Sequence, residues 1–179
     1  MSELRKAKGD SLYFVTFTIV GWIDLFTRKA YCEEAITNLN NLKFCQQHKR
    51  LRIYSYCIMP SHLHLIISHD DSKLPDIIRN FKSYTAKRLL EMIENESFES
   101  RRSWLLYVLS YYATQHQRNA KYQLWQATNH PIELMSNAVI DQKAEYIHQN
   151  PVVAGIVDEA HHYIYSSANP FSPLEVELI

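Results

Sequence analysis

An α+β sandwich, with helices packed on an antiparallel sheet, is what this sequence predicts, and three observations predict it. Residues 11–20 alternate apolar and β-branched side chains at strand period. Two further strand-like runs, 51–59 and 62–68, are joined only by Pro60 and Ser61, the signature of an antiparallel hairpin. Between and after these runs, apolar residues recur at helical spacing. Composition agrees: 179 residues can bury a sizeable core, and 46% hydrophobic residues with only three glycines exclude disordered and fibrous classes. The formal net charge is zero, which excludes an indiscriminately basic nucleic-acid binder and leaves room for a local basic stripe.

In the first strand, Phe14 and Thr16 fall on one side and Val15 and Phe17 on the other. A turn over Gly21 to Thr27 leads to a helix from Arg28 to His48. Its stripe is Ala35, Ile36, Leu39 and Leu42, and the polar run Gln46-Gln47-His48-Lys49 ends it. The hairpin follows as Leu51 to Met59 and His62 to Ser68. Asp70-Asp71-Ser72 starts a second helix, on which Ile77, Ile78, Phe81, Ala86, Leu89, Leu90 and Ile93 keep helical spacing to about Glu94. After a polar stretch, Trp104 to Gln117 is apolar enough for a further helix. Tyr122 to Gln126 and Ile132 to Leu134 read as short strands around an Asn129-His130-Pro131 turn. Ser136 or Asn137 caps a last helix, expected to run to Asn150 and to stop at Pro151.

The order strand, helix, strand, strand, helix, strand is the split βαβ pattern of a ferredoxin-like βαββαβ sandwich, with the helix over 104–117 inserted and a C-terminal helix added. The chain is expected to be a single domain over 1–179, with a core of about 11–169 and an arm over 170–179 containing Pro170 and Pro173. Cys32, Cys45 and Cys57 are odd in number and lack paired metal spacing, which fits a reducing compartment. The charged N-terminus precedes no signal-type apolar run, and no window approaches the roughly 18 apolar residues of a membrane span. The expectation is a cytoplasmic protein with no membrane partner.

His62 and His64 carry the chemistry. One residue apart on a strand, they project to the same side while Leu63 and Leu65 turn into the core, which makes a two-imidazole clamp for a divalent ion. A spaced histidine pair alone is a weak signal. On the last helix, Tyr146 and Asn150 are four apart and share a face. If that face meets the histidine strand, the imidazoles and the amide oxygen form a ligand set for Mg²⁺ or Mn²⁺, and the phenol is a nucleophile toward a phosphate. Equally, Tyr146 packs on the sheet and Asn150 ends the helix. Arg79, Lys82, Lys87 and Arg88 on the second helix, with Arg101 and Arg102 after it, read as DNA-backbone contacts or as a solvated face.

Four segments, taken together, resemble a known family. Met59-Pro60-Ser61-His62-Leu63-His64-Leu65-Ile66 resembles the His-hydrophobic-His motif of HUH single-tyrosine transposases. Phe81 to Ala86, Tyr146 to Val157 and Tyr165 to Ala168 resemble, in that order, the REP-associated tyrosine transposases. The likeness spans about 11–169. It implies a ferredoxin-like nuclease and strand transferase that cuts single-stranded or hairpin DNA through a 5′-phosphotyrosine link. It further implies His62, His64 and Asn150 as metal ligands for Mg²⁺ or Mn²⁺, Tyr146 as nucleophile, Lys82 as a DNA contact, and a monomer or homodimer. Two positions depart from the pattern: Ser61 stands where asparagine is usual and Val153 where a basic residue is common. Two other readings are a non-cleaving hairpin-DNA binding protein derived from such a transposase, and an unrelated ferredoxin-like domain whose histidines bind zinc or nothing.

Overall fold

The computed structural model describes residues 11–44, 51–69, 74–115, 120–128 and 131–178. Several expected features fall outside them: the helix stop at Gln46 to Lys49, the start at Asp70 to Ser72, the end at Gln117, the Asn129-His130 turn, Cys45 and the Leu42 side chain. The alternating segment forms β1 (Leu12–Thr18), and α1 (Lys29–Phe44) follows a pair of 3₁₀ turns. The hairpin is β2 (Leu51–Ile58) and β3 (His62–His69), then come α2 (Leu74–Asn95) and α3 (Arg102–Gln115). The chain continues through β4 (Ile132–Glu133) to α4 (Asn137–Val153). The sheet order is β2-β3-β1-β4, with every pairing antiparallel. This is the ferredoxin-like arrangement, and it puts β3 beside β1 at the centre.

The alternation in β1 and β3 sorts side chains into two cores. Val15, Phe17, Leu63, Leu65 and Ile67 pack with Ile36 and Leu39 of α1 and Ile77, Phe81 and Leu89 of α2. Leu12, Phe14, Cys57 and Ile66 face the other way, onto Ile140 and Ile147 of α4. Because α4 covers the second face, β3 is buried from Leu63 through Ser68. His64 stands in register opposite Thr16 on that second face.

The expected strand over 122–126 is reduced to a single bridge between Trp125 and Ile19. Side chains of α2 hold this edge: the Trp125 indole donates to Thr85 Oγ1 (3.0 Å) and Lys82 donates to the Gln126 carbonyl (2.5 Å). The last helix differs from the expectation too, since it runs through Pro151 to Val153. Proline forfeits its own N–H and crowds the Ile147 carbonyl, and at the last turn no further helix has to continue past that disturbance. The Pro151 carbonyl accepts from Ile156 N, the Val152 carbonyl accepts from Gly155 N, and Gly155 has φ 68°, so a Schellman closure ends the helix. Ser136 caps its start, accepting from Val139 N.

The segment after α4 returns along the outer edge of β2. Ile58 N donates to Tyr165 O, Ser167 N to Tyr56 O, and Glu177 N to Ile53 O. Leu174 is buried in the first core.

Arg101 and Arg102 are both engaged within the chain. Arg101 binds Glu99 through its guanidinium and its backbone N–H, and Arg102 donates to the carbonyls of Ile93 and Glu96. Arg28 and the Tyr31 hydroxyl also donate to Glu99, whose carboxylate is fully buried. Burial alone would raise the Glu99 pKa, but the donors of Arg101, Tyr31 and Arg28 outweigh it and hold it at about 2. A depressed folded-state pKa gives stability that is present above the ordinary carboxylate range and is lost as pH falls through about 4.5 toward 2. Glu99→Gln is expected to cost about 3 kcal/mol in urea unfolding at pH 7 and to flatten the fall in stability between pH 5 and 3. A variant as stable as wild type at pH 7 would contradict this role.

Candidate active site

Both histidine rings are fixed through Nδ1. His64 Nδ1 shares a 2.9 Å hydrogen bond with Thr16 Oγ1, and His62 Nδ1 shares one of 3.1 Å with Ser61 Oγ. Ser61, one of the departures from the family pattern, therefore has work to do as the partner of His62. The rings lie 4.7 Å apart between centroids. His64 Nε2 is buried and has no hydrogen-bond partner. When Nδ1 donates its proton to the threonine, the Nε2 lone pair is left pointing into the site, the state a metal requires.

Helix α4 completes the group from above the sheet. The Asn150 amide N–H donates to the Tyr146 carbonyl (2.7 Å), which commits the nitrogen and leaves the amide oxygen as the group that can accept or ligate. From there the carboxamide acts on both imidazoles, favouring their charged forms without satisfying His64 Nε2. Tyr146 lies in the same chain as the histidines: its ring stands edge-on to His64 at 5.3 Å and to Phe14 at 6.0 Å. The phenol is 48% exposed, enough for a substrate to reach it. The Lys143 ammonium sits 5.3 Å from the Tyr146 ring and 4.9 Å from that of Phe14.

Burial comes first among the causes that lower both histidine pKa values. At His64 the neighbouring His62 and, less strongly, Lys143 add to it, and despite Asn150 the value falls to about 3. Both imidazoles are thus neutral near pH 7, with lone pairs free to ligate. Two imidazole nitrogens and one amide oxygen, with an orphaned buried nitrogen among them, fit a divalent ion with open coordination positions.

The expected cationic residues separate. Arg79, Lys82 and Lys87 line a groove of about 880 Å³ between α2 and residues 120–127 with Pro131, joined there by Lys121 and Tyr122. Arg88 is not among the residues lining it, and its guanidinium pairs with Glu34 (3.1 Å) and Glu91 (2.9 Å). Arg79 also pairs with Asp76. One further set of ligand-type atoms, not singled out from the sequence, lies within 4.8 Å among the described residues: Glu159, His161 and His162, all exposed. The adjacent histidines were its only sequence signal.

Residues 27–127 match the family model described as Transposase IS200 like. The chain belongs to the IS200-like transposase family. The matched span contains His62 and His64 and ends before α4 begins. A solved structure of the REP-associated tyrosine transposase bound to a REP hairpin superposes with a TM-score of 0.57 at 17% identity, covering 93% of this chain and 82% of that one. It supports the ferredoxin-like fold of this family member. A crystal structure of a protein assigned as a transposase from Deinococcus radiodurans R1 gives a TM-score of 0.47 at 14% identity, covering 82% of this chain and 95% of that one. No curated protein sequence matches significantly. Among the described residues, no helix is long and apolar enough to cross a membrane.

Proposed function

We propose that this transposase-family chain is a metal-dependent single-stranded DNA endonuclease and strand transferase that acts on hairpin DNA through a 5′-phosphotyrosine intermediate. One observation carries the reading: a half-exposed phenol from α4 stands 5.3 Å, ring to ring, from a buried imidazole whose Nε2 has no partner. His62, His64 and the Asn150 oxygen would hold Mg²⁺ or Mn²⁺, which when bound supplies Lewis-acid charge to a phosphate oxygen. Tyr146 Oη attacks phosphorus; the Oη–P bond forms and the P–O3′ bond breaks. The phenolic proton passes to solvent and the departing 3′ oxygen takes one up, so the step is neutral overall. Phe14 and His64 hold the phenol ring, and the Lys143 ammonium beside it offsets charge gathering on the phosphate. The phosphotyrosine bond retains the energy of the broken diester, so rejoining needs no nucleotide cofactor.

The groove of Arg79, Lys82 and Lys87, with Lys121 and Tyr122 beside it, offers cations and an aromatic ring to a DNA backbone on the α2 side. Hairpin DNA as substrate rests on the REP hairpin held by the structure of similar fold. The test is a denaturing gel of 5′-labelled and 3′-labelled hairpin DNA incubated with the protein and Mn²⁺. The expected result is a covalent adduct that retains the label 3′ of the cut and is lost with EDTA. DNA binding with no adduct under any divalent ion would refute the nuclease and leave the non-cleaving hairpin binder.

A further inference from the structure

Trp22 sits at the mouth of the site in a conformation that a tryptophan rarely adopts. It has φ 54°, and it is the only non-glycine residue with positive φ among the described residues. For a bulky side chain this is a true outlier, and such strain persists only where the surrounding backbone imposes it. Here the surroundings do: Ile19 N donates to Ser61 O, Val20 N to Leu124 O, and Trp22 N to Ile19 O. The neighbouring Gly21, at φ 62°, is pressed so close to Tyr112 that a Cβ would come within 2.8 Å of its hydroxyl. The turn is therefore clamped to both the histidine hairpin and the 122–126 edge.

That rigid turn does not bury the indole. Trp22 is 60% exposed, and its ring meets that of His62 in a T-shaped contact with centroids 5.4 Å apart, so most of the residue's surface stays open to solvent. A strained, clamped and mostly exposed aromatic contributes little to the core. We infer that Trp22 is a stacking platform for an unpaired nucleobase next to the scissile phosphate. This rests on the proposed reading of the site as one that handles single-stranded DNA. A phosphate held at the histidines has its own base within about one nucleotide's length, the span from His62 to the indole. Stacking on a π face tolerates any base, which suits a contact that grips single strands and leaves sequence choice to other groups.

The probe is an oligothymidylate of about 12 nucleotides, compared with an abasic oligomer of the same length and charge. Wild type is expected to bind the base-bearing strand about tenfold more tightly or better. Trp22→Gly and Trp22→Leu should each reduce that preference at least about threefold while leaving affinity for the abasic strand within about twofold. Trp22→Phe should fall between. Quenching of tryptophan emission by the oligothymidylate should shrink in Trp22→Phe and persist in Trp104→Phe. Trp22→Gly should melt no lower than wild type, since glycine fits the backbone there. No base preference in wild type, an undiminished preference in both non-aromatic variants, or equal losses for both strands would each overturn the inference. Adduct formation decides separately: a wild type that forms the adduct without any base preference sinks the platform alone, and one that shows the preference without an adduct sinks the nuclease alone.

Discussion

Tyr146→Phe is expected to abolish the covalent protein–DNA adduct, a loss of at least about 10³-fold, while leaving the protein folded. Only the hydroxyl is removed. The ring contacts to His64 and Phe14 and the cation above it remain available to phenylalanine. The phenol is half exposed and its hydroxyl makes no hydrogen bond within the described residues, so the substitution should change stability by less than about 0.5 kcal/mol. DNA affinity, measured separately, should stay within about threefold. Tyr163, which packs on the same core, is a poor substitute: its hydroxyl donates to the Ile58 carbonyl, and burial raises its pKa. An adduct that survives in the variant would move the nucleophile elsewhere and break the link between α4 and catalysis.

His64→Leu gives the second large effect. In wild type, Mn²⁺ at about one hundred times its dissociation constant should stabilise the fold by about 2.7 kcal/mol, seen as a rise of several degrees in melting temperature. The leucine variant should lose that rise and the adduct together. Without metal, the same substitution should be nearly neutral. It removes a buried nitrogen that has no partner, and against that gain stands the loss of the Thr16 hydrogen bond and of the stack on Phe14 at 5.4 Å. A Mn²⁺-induced rise of unchanged size in His64→Leu would place the ion elsewhere, with the exposed Glu159, His161 and His162 as the next set to substitute.

The parts of this molecule legible in its sequence are those set by local periodicity. Alternation in β1 and β3 told which residues share a face, so the common direction of His62 and His64 could be read without a fold. The four-residue spacing of Tyr146 and Asn150 likewise located both on one helical face. Partners distant in the chain were not legible. Thr16 meets His64 across 48 residues, and Arg28 meets Glu99 across 71, pairings that depend on the whole topology. For that reason Arg101 looked like a free cation and proves to be half of a buried carboxylate hub. Pro151 misled because the expectation of a stop at proline left out its carbonyl, which still accepts the bond that closes the helix. The turn at residues 21–27 was visible, but that Trp22 rather than Gly21 alone would take a left-handed backbone was not.

The return of the chain along β2 has a bearing on assembly. Backbone groups that would otherwise invite a neighbour into the sheet are engaged by Tyr165, Ser167 and Glu177. At the opposite margin β4 has only two residues. Among the described residues a second copy finds little ladder on which to zip, so a homodimer built on them would draw on side-chain surfaces, and its strength would follow their chemistry.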